Sequence, residues 1–417
     1  MAERRLVAGL DVGSTKTCAV IAEVTGDLPR APLAKVLGVG IAKNSGVRRG
    51  AVRDIDETTR SIAQALGDAQ RMAGVKVSEV ICGIAGEHVA ARSTSGVVAV
   101  TGDEVTDGDR RRVSEVARAV SLGRDHELLH DIPQEYKVDQ QKGIADPVGM
   151  TGMRLEVEMV LVTVQGTAAQ NLRKAAQRAG YRVADLVLEP LAAANAVLTD
   201  DERELGVALV EVGGASTGVA IFHEGKIKHL GSIGYAGQVI SSDLVKGLGL
   251  TQVDAERLKE RAGLAYEPLA DANEVVDLPS TPGQGPRQVH RQHIAHIVHQ
   301  RADEIFGLVN REFEKAGYGG GRLPAGAVLT GGTAHFPGIV EAARESLAVP
   351  VRIGTPELGI SGLVDSVQAP RYAVAVGLVL HGARAVAQGH SGGAGVLAGA
   401  GVERWFGPLK RWLQDFF

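Results

Sequence analysis

Two stretches of this chain repeat one another two hundred residues apart. Val7 to Ala22 reads VAGLDVGSTKTCAVIA, and Val207 to Phe222 reads VALVEVGGASTGVAIF. Val7/Val207, Ala8/Ala208, Val12/Val212, Gly13/Gly213, Thr17/Thr217 and Ile21/Ile221 are identical, and Asp11 stands where the second copy has Glu211. Each copy is a β-type run, a Gly/Ser/Thr turn and a second β-type run, which predicts a β-hairpin. One long unit repeated this far apart implies two similar domains, not a solenoid. A chain of 417 residues is long enough to give each its own core.

A hairpin tip rich in Gly, Ser and Thr lets backbone N–H groups approach an anion, and its hydroxyls add donors. An acidic residue ending the preceding strand can hold Mg²⁺, directly or through water. Gly13, Ser14, Thr15 and Lys16 form one such tip behind Asp11; Gly213, Gly214, Ala215, Ser216 and Thr217 form the other behind Glu211. One hairpin alone reads more readily as a mere tight turn. Two, each with its acidic residue, predict a clamp on a polyphosphate. A third segment, VLTGGTAHFPG (Val328 to Gly338), predicts a strand, the turn Gly331-Gly332-Thr333 and a helix starting near Phe336. A helix N-terminus there favours negative charge.

Between these motifs, strand-like runs at Leu6 to Val12, Cys18 to Val24, Glu79 to Ile84, Val207 to Val212, Val219 to His223 and Lys226 to Leu230, with a helix around Asp56 to Ala73, predict α/β layering. Leu278 to Arg287 and Gln388 to Gly401 read as linkers. Beyond the second, VERWFGPLKRWLQDFF carries Trp405, Phe406, Leu409, Trp412, Leu413, Phe416 and Phe417 as one helical stripe with Lys and Arg beside it. That composition suits a bilayer headgroup boundary; docking on the protein's own core is the alternative. His290, His293, His296 and His299 lie three apart, which drifts around a helix, so a solvated face is expected over a metal site. Net charge is −4, which gives no sign of nucleic acid as a partner. Cys18 and Cys82 make no disulfide framework, the start has no signal-peptide pattern, and no apolar run is long enough to span a membrane.

The two hairpins followed by the Gly331-Gly332-Thr333 turn resemble the phosphate-1, phosphate-2 and adenosine motifs of the superfamily of sugar kinases, heat-shock chaperones and actin. LEPLAAAN (Leu188 to Asn195) resembles the segment joining the two halves in the chaperones, which implies that Glu189 lies near the metal and the attacking water. Within the superfamily, GIAGEHV (Gly83 to Val89), IPQEYKVD (Ile132 to Asp139), DPVGMTGMRLEVE (Asp146 to Glu158), LEPLAAANAVLTDDERELGVALVEVGG (Leu188 to Gly214) and VLTGGTAHFPGIVEAA (Val328 to Ala343) resemble the bacterial cell-division family FtsA over nearly the whole chain.

The resemblance implies an actin-like two-lobed α/β fold of duplicated ribonuclease-H-like domains. The first lobe would be 1–84 with 166–193 and 370–387, and 85–165 an inserted small α/β subdomain. The second lobe would be 194–369, with 231–300 its smaller part, followed by a linker over 388–401 and an amphipathic helix over 402–417. It implies ATP and Mg²⁺ as cofactors, Asp11 and Glu211 at the metal, and Arg301 and Glu304 near the nucleotide's sugar and base. An ordinary surface pair is the other reading of Arg301 and Glu304. Expected partners are the FtsZ C-terminal peptide, further copies of the chain in filaments, downstream division proteins and the cytoplasmic face of the membrane at the division site. FtsA usually reads Asp-Ile-Gly-Gly-Gly-Thr-Thr-Asp at the second hairpin. Here Glu211, Ala215 and Gly218 depart from it, so binding is expected to survive and efficient hydrolysis is not. A metabolite kinase or a type IV pilus tether on the same fold are the alternatives. No segment supplies a sugar pocket, and the tail speaks against the pilus tether.

Overall fold

The computed structural model describes residues 5–27, 31–120, 123–279 and 287–387. The repeat seen in the sequence is repeated in topology. The first sheet runs, from edge to edge, Arg182–Leu188, Glu79–Ile84, Leu6–Val12, Lys16–Asp27, Ala31–Lys43 and Ile360–Gly362. The second runs Val351–Ile353, Ala327–Thr330, Val207–Val212, Thr217–His223 and Lys226–Ile233. In both, the three strands that begin the copy form an antiparallel meander, and the strands on the far side of its first strand run parallel to it. The hairpin register is also shared: Val12 faces Thr17, and Val212 faces Thr217.

Composition explains the placement. Val207–Val212 is buried along its whole length, as expected of a strand covered on both faces by helices. The helix Ile55–Ala73 packs on the first sheet through Ile62, Ala65, Leu66 and Ala69. Asp54 caps it by accepting from Glu57 N–H at 2.9 Å, and Gly74 ends it in the left-handed region. The helix Ala373–Ala387, apolar almost all round, lies in the first core against the short helix Glu189–Val197.

A third, four-stranded antiparallel sheet is inserted after Glu79–Ile84. Its order is Val89–Ala99, Arg154–Gln165, His126–Val138 and Gln141–Ile144, with the helix Asp107–Arg118 packed on it. It has a separate core that includes Val113, Tyr136, Leu155 and Met159. The predicted helix near Phe336 begins later: Gly332–His335 is a 3₁₀ turn, and the α-helix is Ile339–Leu347. Pro337-Gly338 accounts for the delay, since Pro fits a first turn and not the run before it, and Gly338 sits at φ +75°. Most of the expected linker 278–287 and the stripe Trp405 to Phe417 lie outside the described residues. Among those described, no helix is long and apolar enough to cross a membrane.

Candidate functional site

The two repeated turns close in the same way. Gly13 N–H donates to Lys16 O at 2.9 Å, and Gly213 N–H donates to Ser216 O at 3.0 Å. The tips also meet. A Cβ on Gly214 would lie 2.7 Å from Thr15 Cγ2, so only glycine lets the second tip come this near the first. Each tip is braced by its own lobe. Asn44 donates from Nδ2 to Gly13 O at 2.9 Å and from its backbone N–H to Thr15 O at 3.0 Å. In the second lobe, Gly237 N–H, Gln238 N–H and the Thr333 hydroxyl donate to Gly213 O, Gly214 O and Gly213 O at 3.2, 2.7 and 2.7 Å.

The cleft beside the tips is lined by Asp11, Gly13 through Lys16, Glu189, Glu211, Gly213 through Ser216, Gly331 and Gly332. Segments far apart in the chain thus converge on one space. Gly331 is needed for its backbone: φ is +89°, and a Cβ there would sit 2.6 Å from Val212 O. Gly83, at the end of its strand, makes room for Glu189, whose Cγ would lie 2.8 Å from a Cβ at that position.

The electrostatics of the cleft are unbalanced toward acid. The Lys16 ammonium donates to Asp11 Oδ2 at 3.1 Å and to Arg371 O at 3.0 Å. Burial pulls its pKa down, but the charge and hydrogen bond of Asp11, with the charge of Glu211, outweigh burial, and the net shift is upward. Burial, with the Asp11 charge next, pushes the Glu211 carboxyl up to about 8. Burial, then Glu211 and Asp11, push Glu189 well above the usual carboxylate range. Three carboxyls thus share a lining with two cationic residues, Lys16 and Arg371. A divalent cation would relieve the cost that keeps Glu189 and Glu211 protonated. Among the described residues no three acidic, His or Cys side chains are arranged to ligate one ion directly. The donor set therefore suits an ion such as Mg²⁺ that keeps waters and takes its other oxygens from a bound phosphate.

Some expected residues stand elsewhere. Thr217 is fully buried, and its hydroxyl donates to Tyr235 O at 2.7 Å. Thr333 reaches the cleft only by bracing Gly213. Arg301 Nε donates to Asp243 Oδ2 at 2.5 Å and its guanidinium also pairs with Glu304, outside the cleft lining. His296 pairs with Glu267 at 2.8 Å, and His299 packs on Tyr266 with ring centroids 5.2 Å apart, so these two hold the surface of their helix. Sequence reasoning missed Asn44 and Arg371, whose roles come from backbone-level contacts thirty or more residues away that no local pattern signals. Gly83 lay within a recognised motif but had no role assigned.

The family described as Cell division protein FtsA matches residues 208–377, and the one described as the SHS2 domain inserted in FTSA matches residues 86–163. The cell division protein FtsA of Pseudomonas aeruginosa is 39% identical over 416 residues, covering 99% of this chain and 98% of its own length. That of Escherichia coli strain K12 is 36% identical over 421 residues, covering 100% and 99%. Among solved structures, a chain of the PilM-PilN type IV pilus biogenesis complex superposes with a TM-score of 0.64 at 16% identity, covering 90% of this chain and 98% of that one. MreB5 of Spiroplasma citri bound to ADP gives 0.52 at 15%, covering 93% and 99%. At such identities these two establish the actin-like fold and nothing about activity.

Proposed function

The chain belongs to the FtsA family of bacterial cell-division proteins, and from that premise we propose that it binds ATP with Mg²⁺ between its hairpins and ties the FtsZ ring to the inner face of the membrane. The observation that carries the nucleotide reading is the meeting of two identically closed Gly-rich tips, with Asp11, Glu189 and Glu211 in one lining. The tip amides and the Lys16 ammonium would take the phosphates from both sides. Gly331-Gly332 would let the backbone pass beneath the nucleotide. Mg²⁺, held through water by Asp11 and Glu211, would neutralise phosphate charge. Glu189, when ionised, would orient a water toward the terminal phosphate.

A nucleotide touching both tips favours the closed arrangement of the lobes, which in turn favours head-to-tail assembly. The residues proposed for the remaining roles are the surface between Gly231 and Gln300 for the FtsZ C-terminal peptide and the stripe Trp405 to Phe417 for the membrane. The boundaries read from the sequence, with 85–165 as the inserted subdomain and 231–300 as the smaller part of the second lobe, stand as part of this proposal, except that Ile360–Gly362, expected in the second lobe, pairs with Ala31–Lys43 at the edge of the first sheet. In this reading nucleotide serves as a switch for assembly, and turnover is slow.

Calorimetric titration of Mg·ATP into the full chain and into Gly332→Asp tests the cleft. Nothing lies within 4 Å of a Cβ at Gly332, so the variant keeps the fold. Its carboxylate against a phosphate costs several kcal/mol, or about 100-fold or more in affinity. Equal affinity in a folded variant refutes the site.

A further inference from the structure

The motif IPQEYKVD has no part in the cleft, yet its strand, His126–Val138, is built irregularly. Opposite Arg154–Gln165 the pairing passes from Glu135/Glu158 to Pro133/Met159 and from His130/Val162 to Leu128/Thr163, so Gln134 and Leu129 are each an extra residue. Such bulges bend a strand and re-aim its side chains, and a bulge tolerates Pro133, which has no N–H to give. Between them the strand leaves its own subdomain. Leu129 and Ile132 join the core of the first sheet, which also receives Phe222 and Ile227 from the second. Tyr136 and Val138, beyond the second bulge, stay in the inserted subdomain's core.

The re-aimed side chains reach both lobes. His130, buried, accepts on Nε2 from Leu188 N–H at 3.0 Å, one residue before Glu189. Burial holds His130 down to about 4, so the ring is neutral at neutral pH and Nε2 remains an acceptor. Gln134 Oε1 accepts from Ile227 N–H at 2.8 Å, and the Glu135 carboxylate takes the Lys226 ammonium. Lys226 and Ile227 begin the edge strand of the second sheet.

We propose that this doubly bulged segment is a strap across both lobes, with His130 and Gln134 as positioning residues that couple the nucleotide state of the cleft to the placement of the inserted subdomain. The inference rests on the nucleotide reading above. Lobe closure changes the separation of Leu188 and Ile227, and one stiff segment is bonded to both. The subdomain therefore moves with closure, and by linkage any protein partner that fixes the subdomain changes ATP affinity by the same factor.

Hydrogen exchange of the full chain with and without Mg·ATP tests this. In the wild type, Mg·ATP is expected to slow exchange at Gly13–Lys16 and also to change it in Val89–Ala99 and His126–Val138. In Gln134→Ala, protection at Gly13–Lys16 persists while the response of the inserted subdomain falls about fivefold or more. Gln134→Glu, which keeps the acceptor, retains the response. His130→Ala, which leaves the second-lobe bonds in place, is read in parallel and is also expected to lose the response. Protected hairpins with a subdomain response equal in the wild type and both alanine variants, or absent in all, overturn the strap. No protection of the hairpins in the wild type overturns the nucleotide reading, and the strap with it.

Discussion

Glu211→Gln separates the electrostatics of the cleft from its shape. In the folded chain, burial and then Asp11 raise the Glu211 carboxyl to about 8 from an ordinary 4.5. Its folded pKa lies above its unfolded one, so the group's contribution to stability is complete below about pH 4.5 and is lost as pH rises through about 8. In the intervening window the folded state binds nearly one proton more than the unfolded state, a slope of about −1.4 kcal/mol per pH unit. Integrated from about pH 5.5 to about pH 7.5, the loss is about 2.5 kcal/mol. Glutamine fills the same space and cannot ionise, so it removes this slope, while Glu189, relieved of the Glu211 charge, stays raised by burial and then by Asp11. Urea unfolding of both proteins without nucleotide, at intervals across that range, is the assay. The wild type should weaken with pH more steeply than the variant, by that difference. Parallel curves would mean that Glu211 is already ionised in the folded chain, and the argument from an acid-rich dry cleft would fail.

Two other outcomes follow from the structure and the sequence. Gly218→Asp restores the acidic residue usual in the family, but a Cβ there lies 2.5 Å from Pro190 Cγ. It should therefore destabilise by about 1–3 kcal/mol, read as a lower thermal midpoint, with the part due to the clash recovered in Gly218→Asp combined with Pro190→Ala. Truncation after Gln388 should leave Mg·ATP affinity unchanged and abolish co-sedimentation with anionic liposomes; continued sedimentation would place the anchor elsewhere.

The duplicated hairpins were legible because their chemistry is local. Strand, turn and acidic residue all lie within about sixteen residues, and the structure reproduces the pairing of Val12 with Thr17 and of Val212 with Thr217. The strands at Leu6–Val12, Glu79–Ile84 and Val207–Val212 were legible for the same reason, as short β-rich runs between turn signals. Lys16 was assigned to the phosphates from its place at a tip, but its ion pair with Asp11 could not be read from spacing, because it depends on Arg371 O closing the other side. The bulges of His126–Val138 were invisible. A register slip depends on the partner strand, and neither IPQEYKVD nor its neighbours carry glycine to announce one. Arg301 bonds to Glu304, as the reading of an ordinary pair expected, and also to Asp243, which resemblance alone did not foretell.

Two of the three departures at the second hairpin, Glu211 and Gly218, are physically one change. Where relatives carry two aspartates, this chain has Glu211 and Gly218, which face each other across the hairpin. Gly218 opens the space that Pro190 occupies, and Pro190 follows directly on Glu189. Removing the second carboxylate also spares Glu211 a like charge, since Glu211 Oε2 lies 3.5 Å from where a Cβ at 218 would be. The longer glutamate arm then supplies the strand-end acid that the missing aspartate leaves to it alone. An ion held through water tolerates such a substitution, because its shell adjusts. An attacking water does not, since a misplacement of about 1 Å can cost 100-fold in rate. On the function proposed above, the same two residues would therefore spare nucleotide binding and slow its hydrolysis.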